Sequence, residues 1–162
     1  MTQKIRLSLS VAATVAIVGL LPMIARAEAV CVTQPHTNLR KGPTAKDPVS
    51  WTVSENMPLL RMSTKGTWSQ VKDLDGQVHW VPSKSLSSRR SCAVIKSKTA
   101  KLRRGPGPKE PTADLEIADK YTPFQKIDRD GAWLLVQDEY NGRYWVNETN
   151  VWLPMVRASV SF

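Results

Sequence analysis

The sequence has little of what a catalytic site usually needs. Its 162 residues include only two histidines and two cysteines. Neither His36 nor His79 lies in a recognisable triad, metal-binding or acid–base motif. No segment after residue 27 keeps a helical hydrophobic period. The chain is therefore predicted to be neither an enzyme nor a helical protein, and to need no metal and no cofactor. What it does contain is eleven prolines, eight glycines and six tryptophans.

Residues 1–27 have the pattern of a cleavable signal peptide. Lys4 and Arg6 precede an apolar run that ends at Ala25-Arg26-Ala27, the small-x-small pattern that a signal peptidase reads. We predict an exported protein of the periplasm or cell envelope, with a mature chain that begins near Glu28 and has no stable membrane span. An uncleaved membrane anchor is the alternative, since the run is nearly long enough to cross a bilayer.

The chain is basic. Its formal net charge of +9 falls to +6 when Lys4, Arg6 and Arg26 leave with the signal peptide, and the remaining lysines and arginines are spread along the chain. Anionic envelope polymers, lipid head groups and acidic proteins are possible partners of such a surface. A solvated surface that keeps a small protein in solution explains the charge equally well. Export argues against nucleic acid as a partner.

The rest of the chain contains one pattern twice. Asn38–Pro43 reads NLRKGP and Lys101–Pro106 reads KLRRGP. Further matches follow in step: Met57-Pro58-Leu59 with Thr122-Pro123-Phe124, Gly66-Thr67-Trp68 with Gly131-Ala132-Trp133, Val71-Lys72-Asp73 with Val136-Gln137-Asp138, and Trp80-Val81 with Trp145-Val146. A repeat of about sixty residues has the size of a small domain. We therefore predict two domains, residues 28–91 and 92–162.

Short strands and tight turns dominate each repeat. Trp68–Lys72 alternates large apolar with polar residues, as a half-buried strand does, and Asp75-Gly76 then marks a hairpin. The second repeat has the same order around Asn141-Gly142. The pattern predicts an all-β chain with two small barrels, in which 42–57 and 105–122 are long, partly extended loops.

The two cysteines predict one disulfide if the protein is exported. Cys31 opens the first repeat and Cys92 lies just past its last predicted strand. The two ends of a small barrel lie side by side, so this bond would staple the first repeat shut. A metal site formed with His36 is the alternative, but the spacing is nonspecific and a fourth ligand is missing.

The order Leu-Arg-x-Gly-Pro, long loop, Pro-aliphatic, Gly-x-Trp-x-x-Val-x-Asp, turn glycine and Trp-Val resembles the bacterial SH3-like (SH3b) domain. The resemblance covers about Cys31 to Leu86 and again Cys92 to Leu153. It implies two tandem five- to six-stranded barrels after the signal peptide. It also implies an exported module that recognises cell-wall peptidoglycan or other partners and has no catalytic residues of its own. The family usually has glycine before Trp-Val, where this chain has His79 and Tyr144.

Three aromatic residues are candidates for ligand binding. Trp51 has no aromatic counterpart in the other repeat, so the barrel architecture does not require it, and it falls in a predicted loop. Tyr140 and Tyr144 flank the second hairpin. Sugars and peptides stack on exposed aromatic faces, with a few polar groups for orientation. The tryptophans that recur in both repeats are expected to pack on the barrels instead: Trp68, Trp80, Trp133 and Trp145.

Two arginines are also candidates. Arg40 and Arg103 each follow a core leucine, so strand alternation turns them outward. Each would bind a carboxylate on a ligand, or pair with a nearby acid such as Asp73 or Asp138.

Two functions remain open. The first is an exported, non-catalytic module that binds peptidoglycan through its glycan or its stem peptides. The second is a periplasmic protein–protein adaptor or assembly factor, in which two weak barrel sites add by avidity. The expected partner is a cell-wall polymer in the first case and an envelope protein in the second.

Overall fold

The computed structural model of the protein describes residues 27–154. They form strands, turns and two short 3₁₀ helices, Ser83–Ser85 and Glu148–Asn150. Within this range, no helix has the length and apolar character needed to cross a membrane. The predicted signal peptide lies outside the described residues except for Ala27.

The first seven strands form one antiparallel sheet. They are β1 (Glu28–Val32), β2 (Thr37–Arg40), β3 (Val49–Val53), β4 (Pro58–Lys65), β5 (Trp68–Lys72), β6 (Val78–Pro82) and β7 (Leu86–Ser87). Their order across the sheet is β3-β2-β6-β5-β4-β1-β7. Val53 and Leu86 lie on the two outermost strands, yet both pack in the same apolar cluster. The sheet therefore curls around a core, and we call this unit the first barrel.

The next seven strands repeat this architecture. They are β8 (Cys92–Ile95), β9 (Thr99–Arg103), β10 (Thr112–Asp119), β11 (Pro123–Asp130), β12 (Trp133–Gln137), β13 (Arg143–Asn147) and β14 (Val151–Trp152). Their order is β10-β9-β13-β12-β11-β8-β14, so every strand takes the place of its counterpart seven strands earlier. We call this unit the second barrel. The predicted fold class is confirmed as an all-β chain with two antiparallel sheets of the same strand order.

Apolar residues shared by the two repeats form the cores, as the alternation predicts. Side chains on successive strand positions point to opposite faces, so one face of each strand is buried. Six such residues are completely buried: Leu39, Val71, Val81, Leu102, Val136 and Val146.

Both predicted hairpins are present, but they turn on different residues. The β5–β6 hairpin places Gly76 at a φ of +82°, a conformation that glycine adopts without steric cost. In the β12–β13 hairpin the positive φ, +67°, falls on Asn141 rather than on Gly142. Asparagine is one of the few other residues that tolerate this region.

The prediction of two long loops is wrong in part, because each contains a strand. Residues 42–57 include β3, and residues 105–122 include β10. Each strand pairs with its neighbour through a shift in register. In the β2–β3 pair the shift lies between Leu39 and Arg40 of β2, and in the β9–β10 pair it lies between Thr112 and Ile117 of β10. A bulge of this kind interrupts the alternation by which strands are recognised in a sequence.

Strand β8 belongs to both cores. All four of its residues are buried. Ala93 and Ile95 pack in the core of the second barrel, whereas Val94 points to the opposite face and packs in the core of the first. Trp152, on the neighbouring β14, also packs against the core of the first barrel. The two barrels therefore pack against each other through β8, which pairs only in the second sheet but contributes to both cores.

The disulfide joins the first strands of the two barrels. Cys31 on β1 and Cys92 on β8 are bonded, with their Cα atoms 5.9 Å apart. The bond closes the chain of the first barrel, as predicted. It also fixes that barrel to the second, which the prediction of a staple within one repeat did not include. The alternative metal site with His36 is wrong, because both thiols are used in the bond.

Candidate functional site

An aspartate organises the β5–β6 hairpin. Asp73 Oδ1 accepts hydrogen bonds from the backbone N–H groups of Asp75, at 3.0 Å, and Gln77, at 2.8 Å. Its Oδ2 lies 3.1 Å from Nε2 of His79, and the other ring nitrogen, Nδ1, lies 2.7 Å from Ser50 Oγ. Asp73 and His79 are both buried. The carboxylate therefore closes the turn and ties it to β6 and β3.

The β12–β13 hairpin has the same arrangement with a different ring. Asp138 Oδ1 accepts from the backbone N–H groups of Tyr140, at 2.9 Å, and Gly142, at 2.7 Å. Its Oδ2 accepts from the hydroxyl of Tyr144 at 2.9 Å. Burial, and then the Asp138 carboxylate, raise the pKa of Tyr144 above its usual value. A Cβ on Gly142 would lie 2.1 Å from that hydroxyl oxygen, so a larger residue here would displace the Tyr144 ring from Asp138.

Ser50, His79 and Asp73 form a hydrogen-bonded row that no sequence motif indicated. The Ser50 hydroxyl is also 3.1 Å from the carbonyl oxygen of Leu39, to which it can donate. In the second barrel, the place of His79 is taken by Tyr144, which makes the equivalent bond to its own hairpin aspartate. The Asp73–His79 bond thus has a counterpart in the Asp138–Tyr144 bond. Because both bonds close a hairpin, their role is structural.

A cleft with two aromatic rings lies between the barrels. Trp51 of the first barrel meets Tyr121 of the second edge to face, with ring centroids 5.3 Å apart. The cleft has a volume of about 270 Å³. We call it the junction cleft; its lining consists of Ser50, Trp51, Asp73, Asp75, Gln77, His79 and Tyr121.

Trp51 is not the loop residue that the sequence predicted. It lies on β3, is half-buried, and packs against the core of the first barrel. One part of its surface still lines the junction cleft, so it remains a candidate for ligand contact. Because the ring also fills space beside the core, Trp51→Ala is expected to cost stability, whereas the sequence predicted that the barrel architecture does not require this residue.

A polar contact closes the junction cleft on one side. Asp75 of the first barrel accepts hydrogen bonds from the Tyr121 hydroxyl, at 2.6 Å, and from Lys120 Nζ, at 2.9 Å. The Tyr121 bond first and the Lys120 bond second lower the pKa of Asp75. The same contacts, Asp75 first, raise the pKa of Lys120, whose Nζ also lies 4.6 Å from the centre of the Tyr121 ring.

This contact predicts an acid-sensitive junction. The pKa of Asp75 is lower in the folded protein than in the unfolded chain, where it is about 3.9. Its stabilising effect is therefore complete above that value and is lost as the pH falls through the folded pKa. We expect the ring protons of Tyr121 and the indole signal of Trp51 in nuclear magnetic resonance spectra to shift in this acid range.

The matched variants are Asp75→Asn and Asp130→Asn. The first should remove the acid-range shift, and the second, at an exposed position of the second barrel, should keep it. An unchanged titration in Asp75→Asn would contradict the assignment. The effect on overall stability should be small, because ion pairs at the surface contribute little.

A second cleft lies between the turn before β4 and the hairpin of the second barrel. Its volume is about 400 Å³. Tyr140 stands at its edge with 83% of its surface exposed, and the ring of Tyr144 packs edge to face on Phe124 below it, at 6.4 Å. We call it the Tyr140 cleft; its lining consists of Ser54, Glu55, Asn56, Leu115, Thr122, Pro123, Phe124, Asp138, Glu139, Tyr140 and Tyr144.

Each of the two candidate arginines donates a hydrogen bond to a backbone carbonyl of the loop that follows its own strand. Arg40 Nη1 donates to the backbone carbonyl of Asp47 at 2.7 Å, and Arg103 Nη1 donates to that of Glu110 at 2.6 Å. The predicted pairing with the hairpin aspartates is wrong, because the oxygens of Asp73 and Asp138 bind groups of their own hairpins instead. Neither arginine lines the junction cleft or the Tyr140 cleft.

The structure thus separates the five predicted ligand residues into three places. Tyr140 and Tyr144 share one cleft, Trp51 lines another, and Arg40 and Arg103 lie at the ends of β2 and β9, where each binds a loop carbonyl. Among residues 27–154 there is no cluster of three or more histidine, cysteine, aspartate or glutamate side chains placed to hold a metal ion.

Sequence reasoning missed Asn56 and Tyr121, which occupy equivalent places in the two repeats. Both have a positive φ, +63° and +70° respectively. Asparagine before a proline-containing strand is a recognisable turn signal. Nothing in the sequence marks Tyr121, whose role depends on the other barrel.

The comparison with family models agrees with the fold of the first barrel. Residues 33–88 match the family model of the bacterial SH3 domain. A comparison with curated proteins found no match. Among solved structures, NlpC2 from Trichomonas vaginalis is similar at 10% identity, with a TM-score of 0.35, over 83% of this chain and 51% of that one. NlpC1 from the same organism is similar at 8% identity and a TM-score of 0.33, over 91% and 54%.

The CBD of endolysin LysPBC5 is similar at 15% identity and a TM-score of 0.30, over 81% of this chain and 96% of that one. The chain spans about half the length of the two NlpC structures. Similarity at these scores carries no conclusion about ligands. The family match lies within the first barrel and includes its complete β2–β7 segment. Residues 33–88 are therefore similar to the bacterial SH3 domain.

Proposed function

We propose that this protein is an exported, non-catalytic binding module that recognises cell-wall peptidoglycan. The observation that carries the proposal is the junction cleft, where two aromatic rings stand beside the amide of Gln77 and the hydroxyl of Ser50. Aromatic faces with a few polar groups are the usual means of binding sugars and peptides. The bacterial SH3 match of the first barrel supports a binding role.

The disulfide and the packed barrels fit this role. A disulfide persists in oxidising compartments outside the cytoplasm. Because Tyr121 and Trp51 come from different barrels, the cleft exists only when the barrels keep their mutual position, and the shared β8 and the Cys31–Cys92 bond hold them there. A preformed cleft binds with less ordering cost than a flexible one.

The test is sedimentation of the purified protein with insoluble peptidoglycan. Wild-type protein should sediment with the wall material. We expect Trp51→Phe or Tyr121→Ala to weaken binding about two- to tenfold, because aromatic contacts contribute about 0.5–1.5 kcal/mol beyond buried area. The matched control is Trp133→Phe, which changes a half-buried tryptophan outside both clefts.

Charge and stability need separate controls. Melting curves of each variant identify loss of fold. Binding measured at rising salt identifies nonspecific attraction to the basic surface, which is screened over about 8 Å at physiological ionic strength. Binding that disappears at moderate salt and does not respond to Trp51→Phe or Tyr121→Ala would contradict the proposal. Co-purification of an envelope protein in that case would favour the adaptor function.

A further inference from the structure

The Tyr140 cleft contains a buried polar atom without a partner. Asn56 lines the cleft and is only 8% exposed, and its Oδ1 has no hydrogen-bond partner within residues 27–154. Nearly all buried polar atoms in proteins are hydrogen-bonded, so such an exception needs an explanation. A carbonyl oxygen only accepts hydrogen bonds. The missing partner is therefore a donor.

The charge of the cleft has the opposite sign to that of the protein. Three carboxylates line it, those of Glu55, Asp138 and Glu139, and its lining includes no lysine, arginine or histidine. Glu55 is paired with Arg90, and Asp138 is occupied by its hairpin. Glu139 is exposed and has no hydrogen-bonding or ionic partner within the described part of the chain. The free charge of the cleft is thus negative, in a chain whose net charge is positive.

Aromatic rings complete the site. Tyr140 projects into solvent, and Tyr144 forms part of the wall, with Phe124, Pro123 and Leu115 as apolar neighbours. The face of an aromatic ring is negative and attracts cations. A donor that is also a cation and carries an apolar stem would satisfy the amide oxygen, the free carboxylate and the rings together. A primary ammonium group on an alkyl chain has these properties, with three N–H donors and no acceptor.

We propose that the Tyr140 cleft binds the protonated side-chain amine of a peptide. The amine belongs to a stem peptide of peptidoglycan, an identification that rests on the proposed function. The junction cleft and the Tyr140 cleft would then contact different parts of one wall polymer. Glu139 receives the ammonium group, and Tyr140 packs over its alkyl stem. Asn56 Oδ1, which is buried in this structure, accepts from the ammonium group when its side chain turns into the cleft.

The first experiment uses small probes. Nα-acetyl-lysine amide is titrated into the full exported protein, with Nα,Nε-diacetyl-lysine amide as the uncharged control, and binding is followed by nuclear magnetic resonance at the Asn56 side-chain amide and the Tyr140 ring. We expect the free amine to bind at least about tenfold more tightly, because hydrogen bonds to a charged group are the stronger ones. Equal affinity of the two probes, or no response at these two residues, would overturn the proposal.

Three variants of the cleft and one control sharpen the result. Asn56→Gly keeps a residue that accepts the positive φ and removes the amide, Glu139→Gln removes the free charge, and Tyr140→Ala removes the exposed ring. Each should weaken binding of the free amine, whereas Glu116→Gln, at an exposed position outside the cleft, should not. Cleft variants that fold normally and bind as the wild type does would overturn the proposal.

A second experiment separates the cleft from the proposed function. Purified peptidoglycan is used before and after its free amines are acetylated. If the amine belongs to a stem peptide, acetylation should reduce the amount of wild-type protein that sediments with the wall material. The reduction should be smaller for Glu139→Gln, which has already lost part of the contact. Amine probes that bind while wall material does not sediment at all would keep the cleft and refute peptidoglycan binding. Sedimentation that is unchanged by acetylation and by the cleft variants would keep peptidoglycan binding and refute the cleft.

Discussion

Cys92→Ser is expected to lower the free energy of unfolding by about 4 kcal/mol. The bond links residues that are 61 positions apart, and in the chain-entropy model the loss of a cross-link of that length gives an effect of this size. The variant also frees β1 from β8, which are the first strands of the two barrels. Urea denaturation of wild type and variant, each with and without reductant, measures the change.

The comparison with reductant isolates the bond from the serine. Reduced wild type and Cys92→Ser should unfold at similar urea concentrations, and reductant should not change the variant further. A variant as stable as the oxidised wild type would contradict the cross-link. A loss of stability confined to the first barrel would contradict its role in joining the two.

Phe124→Ala is expected to lower the free energy of unfolding by about 3–5 kcal/mol. Phe124 is 1% exposed and is the largest fully buried side chain within residues 27–154. The core around it includes four alanines, Ala93, Ala100, Ala113 and Ala118, which have no flexible side chains to fill the space that the ring would leave. Thermal and urea denaturation measure the effect.

The same variant tests whether the barrels unfold together. Because β8 places Val94 in the first core and Ala93 and Ile95 in the second, loss of one barrel exposes part of the other core. We therefore expect Phe124→Ala to shift a single transition for the whole protein. Leu59→Ala in the first barrel, expected to cost about 2–5 kcal/mol, should shift the same transition. Two separate transitions in either variant would contradict cooperative unfolding.

Local pattern was sufficient for most of the strands. Trp68–Lys72 and Trp133–Gln137 alternate apolar and polar residues, and the strands lie where the alternation places them. It was insufficient for β3 and β10, because a register shift breaks the alternation along each pair. It also misassigned Arg40 and Arg103, since every residue has a backbone carbonyl and the sequence does not show that those of Asp47 and Glu110 act as acceptors.

The sequence by itself determined the all-β class, the repeated strand order, the buried valines and leucines and the two hairpins, because strand alternation and turn chemistry act between residues close along the chain. Only the tertiary structure decided that Val94 enters the other core, that Trp51 meets Tyr121, and that Asn56 lines a cleft while its Oδ1 has no hydrogen-bond partner within residues 27–154. These features depend on how one barrel is placed against the other. That placement follows from contacts between residues far apart in the sequence, whose geometry no local period encodes.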